Sequence, residues 1–442
     1  MSNNGDISAR LSCFRILKRA YADSAFLNLE LKGADDFVRA AVYGTVTYTY
    51  TIDFLIKHIG GRDVSGLDID TLTLLRFGIW QLLFSDKVPS YAATATTVDL
   101  GRKVCPRSAG LINAILRKIS DSPEDKKDPD SYKPEVALSL KSEIYGVLKK
   151  SYGKDRAYDI GKALLHSSPL TVRYNRLKTD KESLVSSLQY EGFQAEYGMF
   201  CDDALILRKT GDTPLDKTKA FINGEFFVQS ESAMLASIVS APQKGYKILD
   251  CCSAPGGKAS HMAELTGDDA DITASDINPA RLDLICQNTR RLGITSVKTV
   301  EADATCELPD ETYDIVTTDV PCSGLGLLGK KPDIRLNLDY QGILSLIGLQ
   351  SKITDEASKR VSPGGVLIYS TCTLNRAENE DAVSRFLDSH DDFYAEDING
   401  YLPEKIIMDS KREEDARNGY ITLFPDIDGS DGFFIARLRR RR

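Results

Sequence analysis

Leu72, Leu75, Ile79 and Leu82 recur at spacings of three and four, the mark of one buried helix face. The same texture runs through the first 120 residues. Asp35 is placed to cap a helix over 36–55, and Ser90, just after Pro89, to cap the next one through Thr96 and Val98. Ser108, Leu111, Ile115 and Ile119 outline another. Strand patterns are nearly absent here, so an all-α bundle of five or six helices is predicted. Residues 121–135 mix charge with Pro123, Pro129 and Pro134, a composition that reads as a linker. Helical periodicity returns over 136–165. The pattern then turns mixed: 170–174 and 204–208 read as strands and 180–191 as a helix, together a small α/β module. From about Phe226 onward, β-rich runs at 247–251, 271–275, 297–301, 314–318 and 366–370 alternate with helical stretches at 279–292 and 342–361. Such alternation predicts a mostly parallel sheet with helices on both faces. The predicted divisions are 1–125, 126–223 and 224–442.

A length of 442 residues fits several domains, and 42% hydrophobic with 27% charged residues is the balance of a globular chain. Disorder, collagen-like repeats and a membrane protein are excluded, since no window approaches the roughly 18 uncharged apolar residues of a spanning helix. The start, Met1-Ser-Asn-Asn-Gly-Asp6, has neither a basic region nor an apolar stretch and is not read as a signal peptide. Nine cysteines with no C-x-x-C spacing argue against a disulfide framework and a zinc ribbon. The four histidines (His58, His166, His261, His390) are scattered, so no metal site is expected. Reduced thiols and a cytoplasmic location are the reading.

The net charge of −8 hides an asymmetry: residues 1–120 hold 15 Lys/Arg against 11 Asp/Glu, a net of +4, which leaves −12 for the rest. Local charge governs phosphate binding, so the N-terminal region is a candidate phosphate-binding surface, with a merely solvated face as the alternative. The terminal Arg437-Leu-Arg-Arg-Arg-Arg442 is either an aid to docking or a disordered solvated end.

The first β-rich run of the alternating region ends in Asp250-Cys-Cys-Ser-Ala-Pro-Gly-Gly-Lys258 and leads into a helix. Gly256 and Gly257 let the backbone turn tightly against a ligand, but the loop is neither G-x-G-x-x-G nor a Walker loop. Asp276, Asp303 and Asp319 each follow a strand, beyond the carboxyl end where ligands of such sheets bind. Three carboxylates repel phosphate and suit S-adenosylmethionine, with its ribose diol, amines and positive sulfur. Their bland alternative is helix capping.

Cys322, in Asp319-Val-Pro-Cys-Ser-Gly324, and Cys372, in Ser370-Thr-Cys372, follow two further strands and are expected to share one crevice. A thiol at a strand end beside a helix start is expected to favour its thiolate. Methylation at C5 of a cytosine calls for such a group: a thiolate adding to C6 makes C5 nucleophilic. Asp319 suits a contact to N3. Pro321 ends its strand, which leaves its carbonyl free for the exocyclic amine. A redox disulfide and inert packing stay open as readings of the thiol pair. A Pro-Pro-aromatic after the strand-four acid would favour amino-group methylation, and Pro321-Cys322 argues against it. A binding module with an inert sheet domain is a further alternative.

These motifs, with Ser275-Asp-Ile277, Ser370-Thr-Cys-Thr373, Gly326-Leu-Leu-Gly-Lys-Lys-Pro-Asp-Ile334 and Phe227-Val-Gln-Ser-Glu-Ser-Ala233, resemble the Sun/RsmB family of RNA cytosine-C5 methyltransferases. The run Leu75-Arg-Phe-Gly-Ile-Trp-Gln-Leu-Leu-Phe-Ser-Asp-Lys-Val-Pro89, with Ile112-Asn-Ala-Ile-Leu-Arg117, resembles the NusB-like domain of its bacterial branch. The resemblance implies a multidomain chain: an all-α NusB-like RNA-binding bundle, a linker with a small α/β module, and a Rossmann-like class I methyltransferase domain. It implies a monomer that methylates C5 of a cytosine in small-subunit (16S) ribosomal RNA; another RNA, such as tRNA, is the alternative. Cys372 then matches the nucleophile, Cys322 the release cysteine and Asp319 the N3 contact. Cys252, Ser253, Ala254, Pro255, Gly256, Gly257, Lys258, Asp276, Asp303 and Asp319 match the S-adenosylmethionine contacts. The chain departs from the family at Tyr313-Asp-Ile-Val-Thr-Thr318, where Phe-Asp is usual, and at Cys251-Cys252, where one cysteine is usual; Cys251 reads as buried strand.

Overall fold

The structure, a computed structural model, describes residues 3–86, 88–407 and 410–442; Met1 and Ser2 of the start and Lys87 of the 75–89 run lie outside the described residues. The chain forms two units, Met1–Ser167 with Leu327–Tyr340, and Ser168–Gly326 with Gln341–Arg442.

The first unit is helical. Its longer helices up to residue 120 are Asn3–Asp23, Asp36–Thr47, Thr49–His58, Ile69–Leu83, Ser90–Val104 and Ala109–Ser120. Leu17, Val42, Leu55, Leu74, Phe77, Ile112 and Leu116 are fully buried where these helices meet. Asp35 accepts Val38 N–H at 2.8 Å and caps its helix as expected. That helix stops at Thr47, however, and the predicted 36–55 helix is two. The break falls in a β-branched run where Thr45 Oγ1 donates to Ala41 O (2.6 Å) and Thr49 Oγ1 to Thr45 O (3.1 Å); such back-bonding bends helices. Ser90 is not a cap: Pro89 holds that position and makes no side-chain bond. The 121–135 stretch folds into short turns, Glu124–Lys127, Pro129–Ser131 and Pro134–Ala137, and the Tyr132 ring packs 4.6 Å from Phe54. Segment Leu327–Tyr340 belongs here too. Its Arg335 is buried and donates to the carbonyls of Leu138 (3.0 Å), Ser139 (3.1 Å) and Leu164 (2.7 Å).

The second unit begins with strands β1 (Leu170–Tyr174), β2 (Phe193–Tyr197), β3 (Ala204–Lys209) and β4 (Phe226–Val228), an antiparallel sheet in the order β2-β3-β1-β4. Leu184 and Leu188 of helix Lys181–Tyr190 pack on its Val172, Leu205 and Phe226. The larger sheet holds β5 (Lys247–Cys251), β6 (Asp271–Asp276), β7 (Val297–Glu301), β8 (Tyr313–Asp319), β9 (Val361–Thr371), β10 (Phe393–Ala395), β11 (Tyr420–Leu423) and β12 (Phe433–Arg440). Its order is β10-β12-β9-β8-β5-β6-β7, with β11 beside β12. The β5–β6, β6–β7, β5–β8 and β8–β9 pairs are parallel, and β12 runs antiparallel to its neighbours. Consecutive residues Ile248/Leu249, Ile315/Val316 and Leu367/Ile368 feed two different cores, so both faces are covered, as the period-two geometry of strands requires. The connections progress one way from β5 through β6 to β7 and the other way through β8 to β9. The crevice at this reversal is where such folds hold ligands.

The Arg-rich end is not a disordered solvated tail. Its residues 437–440 are part of β12: Arg437 and Arg439 bind Glu396 (2.6 and 2.8 Å) and Arg440 binds Asp392 (2.9 Å). Among the described residues no helix is long and apolar enough to cross a membrane.

Candidate active site

β5 ends at Cys251, which is fully buried as expected of a strand residue. The chain then turns sharply: Cys252 has φ +55° and Gly256 φ +91° before helix Gly257–Leu265. Only the position of Gly256 needs glycine for its left-handed backbone. A Cβ there would also press on Ile285 at 3.1 Å. Side chains from several directions fix the loop. Ser253 N–H donates to Ser275 O (2.8 Å) and its hydroxyl to Asp250 (2.6 Å). Ala254 N–H reaches Asp276 Oδ2 at 3.3 Å. The carbonyls of Ala254, Pro255 and Gly257 accept from Arg281 (3.0 Å), Asn288 (3.0 Å) and Arg173 (2.8 Å).

Arg173 comes from β1 of the small sheet. It is wholly buried and grips Glu264 with two bonds of 2.8 Å, while also binding Ser260 (3.0 Å) and Gln229. Gln229 belongs to the Phe227–Ala233 motif, and Glu231 of that motif accepts three backbone N–H groups, from Met199, Phe200 and Cys201. The motif therefore braces the loop from below.

Asp276 is nearly buried at the end of β6, 3.5 Å from Arg281, and accepts Asn278 N–H at 3.1 Å. Asp319 at the end of β8 binds Lys258 Nζ (2.6 Å) and accepts from Ser370 Oγ (3.1 Å). Burial works to lower the Lys258 ammonium, but Asp319 and Asp250 outweigh it and the net shift is upward. Cys252 registers the local field. Burial first, then Asp319, Asp276 and Asp250, push its thiol up to about 12. The loop thus faces negative potential, which suits a ligand carrying a positive sulfur. Asp303 accepts from Thr305 N–H (2.9 Å) and Oγ1 (2.7 Å), bonds that hold its carboxyl below the usual range. It closes a local turn, adjacent to Ala302, whose N–H donates to Asp276 O at 3.3 Å.

Cys322 and Cys372 lie with their sulfurs 3.2 Å apart, both half-buried and free. The loop bearing Cys322 is tied to β9 by Val320 N–H to Ser370 O (3.2 Å) and Gly326 N–H to Cys372 O (3.0 Å). Ser370 links Asp319 to the strand end that carries Cys372, and Lys258 links Asp319 to the loop, so one run of contacts joins the loop, Asp319 and the thiols. Two expectations are corrected. The thiolate of Cys322 is not favoured: the bond to Cys372, burial and the charges of Cys372 and Glu378 push its thiol well up, because it faces a second thiol and a carboxyl rather than a helix N-terminus. The Pro321 carbonyl is not free either. Helix Tyr340–Ser358 brings Gln350 Nε2 to it at 3.0 Å.

Arg173, Arg281, Gln229, Gln350 and Glu378 escaped the sequence reading. Gln229 alone sat in a quoted motif. Arg173 and Gln350 reach the site from elements distant in sequence, while Arg281 and Glu378 follow Asp276 and Cys372 by five and six positions.

Residues 237–439 match the family model described as 16S rRNA methyltransferase RsmB/F, residues 8–121 the NusB family, and residues 144–213 the RsmF/B-like ferredoxin-like domain. A probable ribosomal RNA small subunit methyltransferase B of Synechocystis is 31% identical, over 98% of this chain and 100% of its own. Its counterpart in Bacillus subtilis is 29% identical, over 90% of this chain and 89% of its own. The crystal structure of PH0851 superposes with a TM-score of 0.78 at 25% identity, covering 97% of this chain and 98% of that one.

Proposed function

The chain belongs to the 16S rRNA methyltransferase RsmB/F family, and on that premise we propose that it transfers the methyl group of S-adenosylmethionine to C5 of a cytosine in small-subunit ribosomal RNA, through a bond between Cys372 Sγ and C6. The observation that carries the reading is the pair of thiols 3.2 Å apart beside the Lys258–Asp319 ion pair. Cytosine C5 is a poor nucleophile, and a hard substitution is eased when a thiolate first adds at C6. Cys372 takes this part. As Cys372 Sγ bonds to C6, the proton of its thiol passes by way of Asp319 to N3, where the electron pair of the C5–C6 bond places negative charge; Asp319, fixed by Lys258 and Ser370, then accepts from N3–H. After methyl transfer Cys322, no longer bonded to the Cys372 thiol and having given its own proton to solvent, takes the C5 proton; the C5–H electron pair forms the C5–C6 double bond and the C6–S bond breaks, which returns Cys372 as a thiolate.

The loop 252–258 with Asp276, Asp303 and Asp319 is the cofactor site in this reading. The acids that raise Cys252 suit the donor, which supplies an electrophilic methyl on a positive sulfur. The helical residues 1–125 and the module 126–223 supply phosphate contacts, so binding should fall steeply with salt. The target base must leave its stack, since C6 is attacked from the ring face.

Incubation of the full chain with small-subunit rRNA and labelled cofactor, followed by bisulfite sequencing, tests the proposal. Cys372→Ala abolishes 5-methylcytosine and Cys322→Ala accumulates a protein–RNA adduct. Full methylation by Cys372→Ala overturns it.

A further inference from the structure

Glu378, fully buried in the short turn Arg376–Glu378 that follows β9, takes no part in the chemistry above. Its carboxyl group meets four donors. Oε1 accepts from Ser323 Oγ (2.5 Å) and Asn375 Nδ2 (2.9 Å), Oε2 from Ser323 N–H (2.9 Å) and Gln350 Nε2 (2.9 Å). Gln350 spends the same amide on the Pro321 carbonyl at 3.0 Å. The residues on both sides of Cys322 are therefore held by one buried acid and its amide partner.

The other cysteine is bracketed likewise. Thr371 Oγ1 donates to Asn379 Oδ1 (2.6 Å), and Asn379 Nδ2 to Thr373 O (2.9 Å). Thr373 Oγ1 lies 2.6 Å from Ser323 Oγ, and Tyr369 O–H donates to Glu378 O at 2.6 Å. The two brackets meet at Ser323.

We propose that Glu378 is a positioning residue: through Ser323 and Gln350 it fixes the loop of Cys322 against the strand end of Cys372, and so sets the distance between the two thiols. Its catalytic consequence rests on the Cys372/Cys322 reading above. A neutral polar side chain cannot reproduce the arrangement, because all four partners are donors and an amide offers only one acceptor atom. The charge of Glu378 is also among the causes that raise the Cys322 thiol. Among the described residues no hydrogen bond joins this clamp to the loop 252–258, so cofactor affinity is the readout it should leave nearly unmoved.

The test uses full-length Glu378→Gln, with Ser323→Ala as a milder variant that keeps the backbone donor. Iodoacetamide labelling of Cys322 across pH, read by peptide mass spectrometry without RNA or cofactor, should move its midpoint down by half a unit or more in Glu378→Gln. kcat should fall at least tenfold while the KM for S-adenosylmethionine stays within twofold; Ser323→Ala should shift both readouts in the same direction by less. Unchanged labelling and kcat in folded Glu378→Gln overturn the proposal, as does a joint collapse of kcat and cofactor affinity. If Glu378→Gln does not fold, Ser323→Ala decides by the same two readouts. A shifted labelling profile in an enzyme that makes no 5-methylcytosine overturns the C5 reading and leaves the clamp standing.

Discussion

Replacing Arg173 with methionine removes a buried cation and leaves its partner behind. The guanidinium makes two 2.8 Å bonds to Glu264 and others to Ser260 (3.0 Å) and the Gly257 carbonyl (2.8 Å). Neither charged side chain sees solvent, at 0% and 1% exposure. Breaking such a pair costs about 3–5 kcal/mol, whereas replacing both members with apolar groups is close to neutral. Burial already raises the Glu264 carboxyl and Arg173 opposes that rise. Without Arg173, the folded-state pKa climbs further above its unfolded value. The variant's deficit should therefore be full at pH 8 and shrink as the pH falls and Glu264 takes a proton. Urea unfolding followed by circular dichroism measures this, with fluorescence of the single tryptophan, Trp80, reporting the helical unit separately. Arg173→Met should lose about 3–5 kcal/mol at pH 8, and Arg173→Met/Glu264→Leu should recover most of it. The Gly257 carbonyl loses its charged donor in both and keeps only the Ser260 hydroxyl, at 3.2 Å. A hydrogen bond from a charged group is worth about 1.5–3 kcal/mol, so cofactor affinity should drop roughly tenfold or more in both. A single variant within about 1 kcal/mol of wild type at pH 8 refutes the argument.

Other perturbations act on separate parts. His261 is buried beside Asp203 at 3.1 Å, and burial, then Arg173, lower its imidazole to about 4. Its neutral form is favoured by folding, so stability is full above about pH 6.5 and falls by up to about 1.4 kcal/mol per unit towards pH 4; His261→Gln should flatten that slope in urea titrations. Gly44→Ala would drive a Cβ into the Trp80 indole, an overpacking worth about 1–3 kcal/mol that should lower the Trp80 fluorescence midpoint. Arg335→Met frees three carbonyls of the helical unit and should lower the same midpoint, while Lys258→Met should lower kcat through Asp319.

Period and turn chemistry made much of this molecule readable. The runs at 247–251 and 297–301 coincide with β5 and β7, and Gly256 sits where a left-handed turn needs it. The thiols were legible as partners because each closes a strand of one parallel sheet. What escaped depends on side chains far apart in sequence: Arg173 meets Glu264 across 91 positions, and Gln350 meets Pro321 across 29. A polar residue on a strand or helix reads as a solvated face, since hydropathy carries no information about a distant partner.

Arg437 shows the physics of that failure. In β12 Phe434, Ala436 and Leu438 feed one core and Phe433 and Ile435 the other, so alternation sends Arg437 to the same side as Ile435. There it donates to the carbonyls of Val239 (2.7 Å) and Ser240 (2.9 Å), at the carboxyl end of helix Glu231–Ser240. Those carbonyls have no partner within their own helix, and a cation at that end also complements the helix dipole. The arginine is a helix cap delivered by a strand. Its neighbours in sequence made it look like a basic tail because four further arginines of 439–442 crowd the end of the chain, yet Arg437, inside the strand, is 4% exposed, while Arg439 and Arg440, at the strand's end, are 28% and 30% exposed.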